Sequence, residues 1–263
     1  MKLYQVDAFT REAFKGNPAG VWVGETFPPD AFMQSIAAEI NASETAFVQI
    51  GKSGYAIRYF TPTREVPLCG HATLASAHIL RELGIVAEAE PFVLRAARDN
   101  LTISVEGGWV KMLFPVYALS RLDDRKPLER ALGARVIEAY GTRDNWIVAR
   151  LPDEQSLLEC RPDFAAIQES NIDILAATAQ SASPAYDFSV RVFCNPSWGI
   201  REDPVTGSAN CILAPYWQAE LNKTSFASRQ LSQRGGELKV RLCAEGVEIM
   251  GQARTVFVIE ADV

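Results

Sequence analysis

Apolar and polar positions alternate at a period of two through much of this chain, and only a few stretches switch to the helical period near 3.6. Lys2–Phe9 alternates as a strand, and GNPAGVWVG (Gly16–Gly24) is a turn leading into a second, apolar strand. Phe32, Ile36 and Ile40 share one face of a helix over Ala31–Ile40, with Asp30 placed to cap it and Asn41 to end it. NASETAFVQI and Tyr55–Phe60 follow as strands. The turn TPTREVPLCG then opens a helix over roughly Ala72–Leu83, closed by Gly84. Phe92–Ala97, Leu101–Glu106 and Val110–Phe114 read as antiparallel strands, turning at Asp99-Asn100 and Gly107-Gly108.

The polar stretch Leu119–Leu132 bridges to a second half with the same order of patterns. Strands are expected at Val136–Tyr140 and Trp146–Ala149, a helix near Pro162–Ser170, an apolar strand-loop segment, and a strand at Phe188–Phe193. A helix over Ala209–Leu221 should be kinked by Pro215. Strands at Gln230–Arg234, Glu237–Leu242 and Val247 onward to Ile259 close the chain. Many antiparallel strands around few helices make this an α+β protein and not a doubly wound sheet. The expected lobes are residues 1–118 and 119–263, the last strands being candidates to cross back to the first lobe.

One piece of grammar occurs twice. Glu65–Leu74 (EVPLCGHATL) and Glu202–Cys211 (EDPVTGSANC) each precede an apolar helix-like run. Laid on each other, Glu65 meets Glu202, Pro67 meets Pro204, Gly70 meets Gly207 and Ala72 meets Ala209, at an offset of about half the chain. Internal duplication into two similar lobes is the simplest explanation.

The 263 residues suffice for a large core, and 48% apolar with 22% charged is ordinary for a soluble protein. A net charge of −6 argues against nucleic acid or an anionic membrane surface as partner. No apolar run approaches the roughly 20 residues of a spanning helix. MKLYQVDAFT has the pattern of a strand and not of a signal peptide, so the expected compartment is the cytoplasm. Five scattered cysteines without a CxxC pair suit reduced thiols. His71 and His78 are the only histidines; two helical turns hold them ~10 Å apart, too far for one ion, so no metal is expected.

A helix start preceded by glycine is an anion site, because its first N–H groups and its dipole face outward. Gly70 and Gly207 would let backbone approach a ligand at two such starts. If the lobes face each other, a small carboxylate held there would be polarised, easing loss of a proton from the adjacent carbon. Such chemistry needs acid/base groups and no metal. Asp203 is either a solvated turn acid or one of these groups; Glu44 is a surface acid at a strand start or the base. His71 is a hydrogen-bond donor at the helix start or a first-turn polar residue. Ser208 binds substrate or caps the helix, and Cys69 is an activated thiolate or an inert buried thiol. His78 reads as structural.

These residues together resemble the PhzF family of phenazine-biosynthesis-like isomerases, in the diaminopimelate epimerase-like superfamily. The resemblance covers nearly the whole chain: VDAF with GNPAGV, SETAF, TPTREVPLCGHATLA, GIREDPVTGSA and RQLSQRGGEL, in that order. It implies two lobes related by a pseudo-twofold, each a β-barrel-like sheet around a central helix, with the site in the cleft. It also implies a homodimer and neither metal nor organic cofactor. By the same resemblance Glu44 is the principal acid/base, Asp203, His71 and Ser208 assist it, and Asn17 lies in the substrate site. Two departures stand out. Epimerase relatives use one cysteine from each lobe, whereas here Cys69 faces no counterpart, the second lobe offering Thr206 and Asp203. Asn210 replaces the histidine that often follows TGSA in such chains.

The expected activity is a cofactor-independent isomerase that moves a proton between carbons of a small carboxylate-bearing metabolite. The alternatives are an amino-acid epimerase pairing Cys69 with an opposing carboxylate, and a non-catalytic ligand-binding or scaffold protein on the same fold.

Overall fold

Alternation at a period of two becomes strand almost wherever it occurs in the computed structural model, which describes residues 1–52 and 54–262. The chain divides into two units, Met1–Leu113 with the stretch from Met250 onward, and Phe114–Ile249. The expected boundary at 118/119 is therefore moved to 113/114, and the chain's final strand belongs to the first unit.

The first unit contains β1 (Lys2–Ala8), β2 (Asn17–Gly24), α1 (Asp30–Ile40), β3 (Glu44–Gly51), β4 (Gly54–Phe60), β5 (Glu65–Val66), α2 (Gly70–Glu82), β6 (Phe92–Arg95), β7 (Asn100–Glu106) and β8 (Trp109–Phe114). The second contains β9 (Ser120–Arg121), α3 (Lys126–Leu132), β10 (Glu138–Gly141), β11 (Trp146–Arg150), α4 (Glu154–Glu159), α5 (Phe164–Glu169), β12 (Ile174–Gln180), β13 (Phe188–Cys194), β14 (Glu202–Asp203), α6 (Asn210–Leu221), β15 (Ser225–Gln230), β16 (Gly236–Cys243) and β17 (Gly246–Gly251). Finally β18 (Ala253–Glu260) returns to the first unit and pairs antiparallel with β1.

Strand pairing repeats between the units. In the first, β1–β2 is antiparallel, β2–β3 parallel, β3–β4 and β4–β5 antiparallel, β4–β6 parallel and β6–β7 antiparallel. In the second, β10–β11, β11–β12, β12–β13, β13–β14, β13–β15 and β15–β16 follow the same sequence of senses. The duplicated sequence grammar is thus a duplicated topology.

Each unit encloses one helix. Nine residues of α2 are buried, on every side of the helix, which is why small residues such as Ala72, Ala75, Ser76 and Ala77 dominate it. Its buried hydroxyls bond back to the helix: Thr73 Oγ1 to the Cys69 carbonyl at 2.6 Å and Ser76 Oγ to that of Ala72 at 2.7 Å. The enclosed α6 is anchored by Trp217, whose ring stacks on Phe188 at 5.3 Å and whose Nε1 donates to Thr178 Oγ1. Pro215 lies within α6, which runs on through it. The Cys211 carbonyl, which a residue with an N–H at 215 would have satisfied, accepts from the Tyr117 amide at 3.2 Å instead. The outer helices cover separate apolar clusters. Met33, Ile36 and Ala37 of α1 lie in a cluster with Leu3, Phe47 and Phe60. Leu128, Ala131 and Leu132 of α3 lie in another with Ala166 and Ile167 of α5.

Several local expectations shift. Asp30 is the first residue of α1, not its cap, and its carboxylate binds Arg58. The strand expected at Gln230–Arg234 lies earlier, at β15, and the strand from Val247 is split into β17 and β18. The polar bridge is not featureless; it contains β9 and α3. Asn41, in the left-handed conformation, ends α1 as expected. Among the described residues, no helix is long and apolar enough to cross a membrane.

The repeated glutamates have a structural task. Arg58 grips Glu65 with two hydrogen bonds of 2.7 Å, and Arg191 grips Glu202 at 2.8 and 2.9 Å. Each pair ties a long strand to the short strand entering the enclosed helix. The two are not equally replaceable. Arg58 also holds Asp30, whereas Arg191 is less exposed and otherwise bonds the Leu157 and Cys160 carbonyls and Cys160 Sγ. Glu202→Gln should therefore cost about 2 kcal/mol by leaving a half-buried guanidinium poorly paired, while Glu65→Gln should cost less than about 1 kcal/mol. Urea unfolding of the two variants checks the order; an equal cost would refute the distinction.

Candidate functional site

The site in the first unit is built where β2, β3 and the start of α2 meet. Parallel pairing sets Ala19 opposite Glu44 and Gly20 opposite Thr45. A Cβ on Gly20 would lie 2.7 Å from Thr45 Oγ1, so only glycine admits this approach beside Glu44. Gly16 (φ +65°) makes the turn before Asn17, and a Cβ there would strike the Ala8 carbonyl at 2.1 Å.

The helix α2 starts two residues before the expected Ala72, with Cys69 in extended conformation at the capping position and no side-chain cap. This leaves the first-turn amides to other acceptors. A buried chain of bonds fixes that first turn: Tyr59 Oη lies 2.6 Å from Thr73 Oγ1, which donates to the Cys69 carbonyl. Burial pushes the Tyr59 hydroxyl well above the usual phenol range, so it stays a donor.

His71, the second residue of α2, is buried and is the hub of the site. Its Nε2 lies 3.3 Å from Glu44 Oε2 and 3.3 Å from Ser43 Oγ, and its Nδ1 lies 3.4 Å from Cys69 Sγ. Ser43 Oγ is also 3.2 Å from Asn17 Oδ1 and 3.3 Å from the Pro18 carbonyl. Loss of solvation brings the His71 pKa down to about 4, so the imidazole is neutral at pH 7. With Glu44 ionised, the partners favour a proton on Nε2, shared between Glu44 and Ser43. Nδ1 then accepts from the Cys69 thiol. Glu44, Cys69, His71 and Asn17, widely spaced in sequence, are thus brought together.

The spacing of His71 and His78 excludes only a site that uses both histidines. Glu44, Cys69 and His71 offer three donor atoms all within 4.8 Å of one another, a set able to hold an ion. His78 lies apart from it, with Nε2 3.0 Å from Thr255 Oγ1 and 3.2 Å from Glu82.

The second unit assembles its own polar group at the corresponding place. Asp203 Oδ2 accepts from Thr206 Oγ1 at 2.5 Å. The buried Gln230 clamps both: its Oε1 accepts from the Thr206 amide at 2.9 Å, and its Nε2 donates to the Asp203 carbonyl at 2.6 Å. Gly207 and Ser208 lie in a 3-10 turn before α6 that has no side-chain cap, so capping is not the task of Ser208. Asn210 Nδ2 donates to the Gly207 carbonyl at 3.1 Å, while its buried Oδ1 lacks a hydrogen-bond partner. Sequence reasoning missed Gln230 and Ser43. Ser43 adjoins Glu44 in SETAF and Gln230 is the second residue of RQLSQRGGEL, so both lay within quoted motifs, but neither motif tells which distant groups these side chains meet.

The sequence matches the model of the phenazine biosynthesis-like protein family over residues 6–259. It is 44% identical to an uncharacterized isomerase of Halalkalibacterium halodurans over 97% of this chain and 96% of that protein. The crystal structure of a PhzF-family phenazine biosynthesis protein from Enterococcus faecalis superposes with a TM-score of 0.94 at 40% identity, covering 100% of this chain and 99% of that one. A predicted epimerase from Pseudomonas aeruginosa, at 20% identity, shares the fold with a TM-score of 0.78 over 100% of this chain and 99% of the other. The α+β architecture of two like units is therefore that of the epimerase-like fold, and the chain belongs to the phenazine biosynthesis-like, or PhzF, family.

Proposed function

We propose that this protein is an isomerase that shifts a proton between carbons of a small carboxylate-bearing metabolite, using side-chain acid/base groups alone. The observation that carries the reading is the Glu44 carboxylate 3.3 Å from a buried, neutral imidazole, in a chain whose relatives include named isomerases. Glu44 takes a proton from an activated carbon, becoming a carboxylic acid while the electron pair enters the conjugated system. The same proton, or one exchanged through His71, returns to another carbon, and the double bond moves. His71 suits this role because it is neutral: it steadies the carboxylate through Nε2–H without competing as a cation. Amides around Gly70 and Gly207 are assigned to the substrate carboxylate, Asn17 to substrate positioning, and Asp203 and Ser208 to orientation and proton sharing. A small-molecule carboxylate partner and a homodimer complete the proposal.

One observation favours a second reading. Cys69 Sγ lies against His71 Nδ1 at 3.4 Å, so the thiol has a base beside it and could act on a stereocentre, as in an epimerase. Thr206 at the equivalent position in the second unit has no thiol to offer, and a carboxylate would have to serve as the opposing base.

Proton-exchange NMR in D2O, on a panel of small cyclic and amino carboxylates, separates these readings. Glu44→Gln should abolish exchange at the reacting carbon, a loss of at least about 100-fold. Exchange that survives Glu44→Gln and dies in Cys69→Ser would favour the epimerase. Silence of the folded wild type across the panel would favour a binding protein.

The depressed His71 pKa has a consequence for stability. An unfolded histidine titrates near 6.5, whereas His71 in the fold titrates near 4. Between these values the unfolded chain holds the extra proton. Stability complete above pH 6.5 should thus fall as pH drops towards 4, by up to about 3 kcal/mol. Urea-unfolding free energies measured from pH 7 to 4 should slope less steeply in His71→Asn, and an unchanged slope would contradict the assignment.

A further inference from the structure

We infer that Glu44, His71 and Cys69 form a capture site for a thiophilic divalent cation of the zinc type, whose binding shuts off Glu44 as a base. The regulatory half of this inference rests on the proposed role of Glu44; the binding half stands on geometry alone.

The donor atoms already have nearly the spacing a small cation requires. His71 Nε2 is 3.3 Å from Glu44 Oε2 and 3.9 Å from Cys69 Sγ, and the three donors lie within 4.8 Å of one another. A tetrahedral zinc ion, with bonds of about 2.0–2.1 Å to nitrogen and oxygen and about 2.3 Å to sulfur, sets its ligands roughly 3.3–3.7 Å apart. Shifts of well under an ångström by some of these side chains therefore bring the set into range. One nitrogen, one sulfur and one oxygen donor favour zinc or cobalt over magnesium or calcium, whose preferred ligands are all oxygen. Cys69 lies on the fixed start of α2, Glu44 at the start of β3, and His71 one turn position from Cys69, so the backbone presents all three. Three protein ligands leave a fourth position for water or an anion.

Binding is a simple exchange without redox change. As the sulfur–metal bond forms, the Cys69 thiol proton passes to His71 Nδ1, the proton on Nε2 leaves to solvent, and Glu44 and the freed Nε2 each donate a lone pair, so one proton is released in all. Affinity therefore rises with pH. A carboxylate whose lone pair is committed to a cation no longer accepts a proton from carbon.

The test is titration of the full-length protein, freed of metal with a chelator, with Co2+ in the absence of substrate. One equivalent should bind and give the thiolate-to-cobalt charge-transfer band together with the intense visible absorption of a four-coordinate site. Zn2+ should displace it. Cys69→Ser and Cys69→Ala, each first shown to keep the wild-type thermal transition, should lose the charge-transfer band. Glu44→Gln should weaken binding at least tenfold, and Cys243→Ser should change neither. A band that persists without Cys69, or the failure of stoichiometric cobalt to bind the wild type at micromolar concentration, would overturn the site. One equivalent of Zn2+ should also stop the wild-type proton exchange, with recovery on adding EDTA. Exchange that continues with zinc bound would overturn the regulatory half. If wild-type protein exchanges no proton at all, the proposed function fails and the regulatory half with it, while the cobalt spectrum still decides the site.

Discussion

The uncharged burial of His71 is the constraint on which the first unit's site depends. An enclosed helix must start somewhere, and here it starts among buried groups, so its second residue is cut off from water. Loss of solvation disfavours the imidazolium, which leaves His71 with one nitrogen to donate and one to accept. That division orders its neighbours. Glu44 and Ser43 gather at Nε2 and Cys69 at Nδ1. The hydroxyl chain from Tyr59 through Thr73 to the Cys69 carbonyl keeps the first turn in place beneath them. A solvated histidine at this position would titrate near neutrality and would pair with Glu44 as a cation, turning a hydrogen bond between a carboxylate and a neutral imidazole into a salt bridge.

Duplication supplies the frame, and divergence supplies the chemistry. Both units repeat the same order of parallel and antiparallel pairings, and in both a glutamate on the short strand is gripped by an arginine two residues before the end of its partner's paired segment. This frame is indifferent to what the helix start presents. At that start Cys69 is matched by Thr206, His71 by Ser208 and Val66 by Asp203. The imidazole hub of one unit becomes in the other a carboxylate held by a hydroxyl and a buried amide, Asp203 with Thr206 and Gln230. The Gln230 clamp bonds backbone as well as side chain, so it fixes the turn and the carboxylate together. A repeat that keeps its ion pairs while exchanging its reactive groups preserves folding and makes the two units chemically unlike.

How much of this the sequence discloses depends on the range of the forces involved. Strands were legible because one-sided burial imposes a short period, the all-round-buried α2 because a turn opens it and Gly84 closes it, and Asn41 and Gly84 carry their helix-ending conformations locally. The start of α2 was read two residues late, because Cys69 caps it without any side-chain hydrogen bond that a local motif would announce. The strand at β15 was misplaced towards Arg234 because its position is set by parallel pairing with β13, a distant partner. The repeated glutamates were visible, yet their task was not, since Arg58 and Arg191 lie outside the repeated grammar. The same limit explains Glu44. Taken alone, an acid between Ser43 and Thr45 at the head of a strand reads as a surface residue, and only kinship of sequence raised it above that. Its physical distinction is a neighbour on another element, a histidine made neutral by burial, and neither the neighbour nor the burial is a property of the segment that contains Glu44. Histidine spacing likewise argued against a metal because it weighed residues on one helix, whereas the donors that converge come from a strand and a helix start. Local pattern thus determines which elements form; reactivity arises where they meet, and has to be read there.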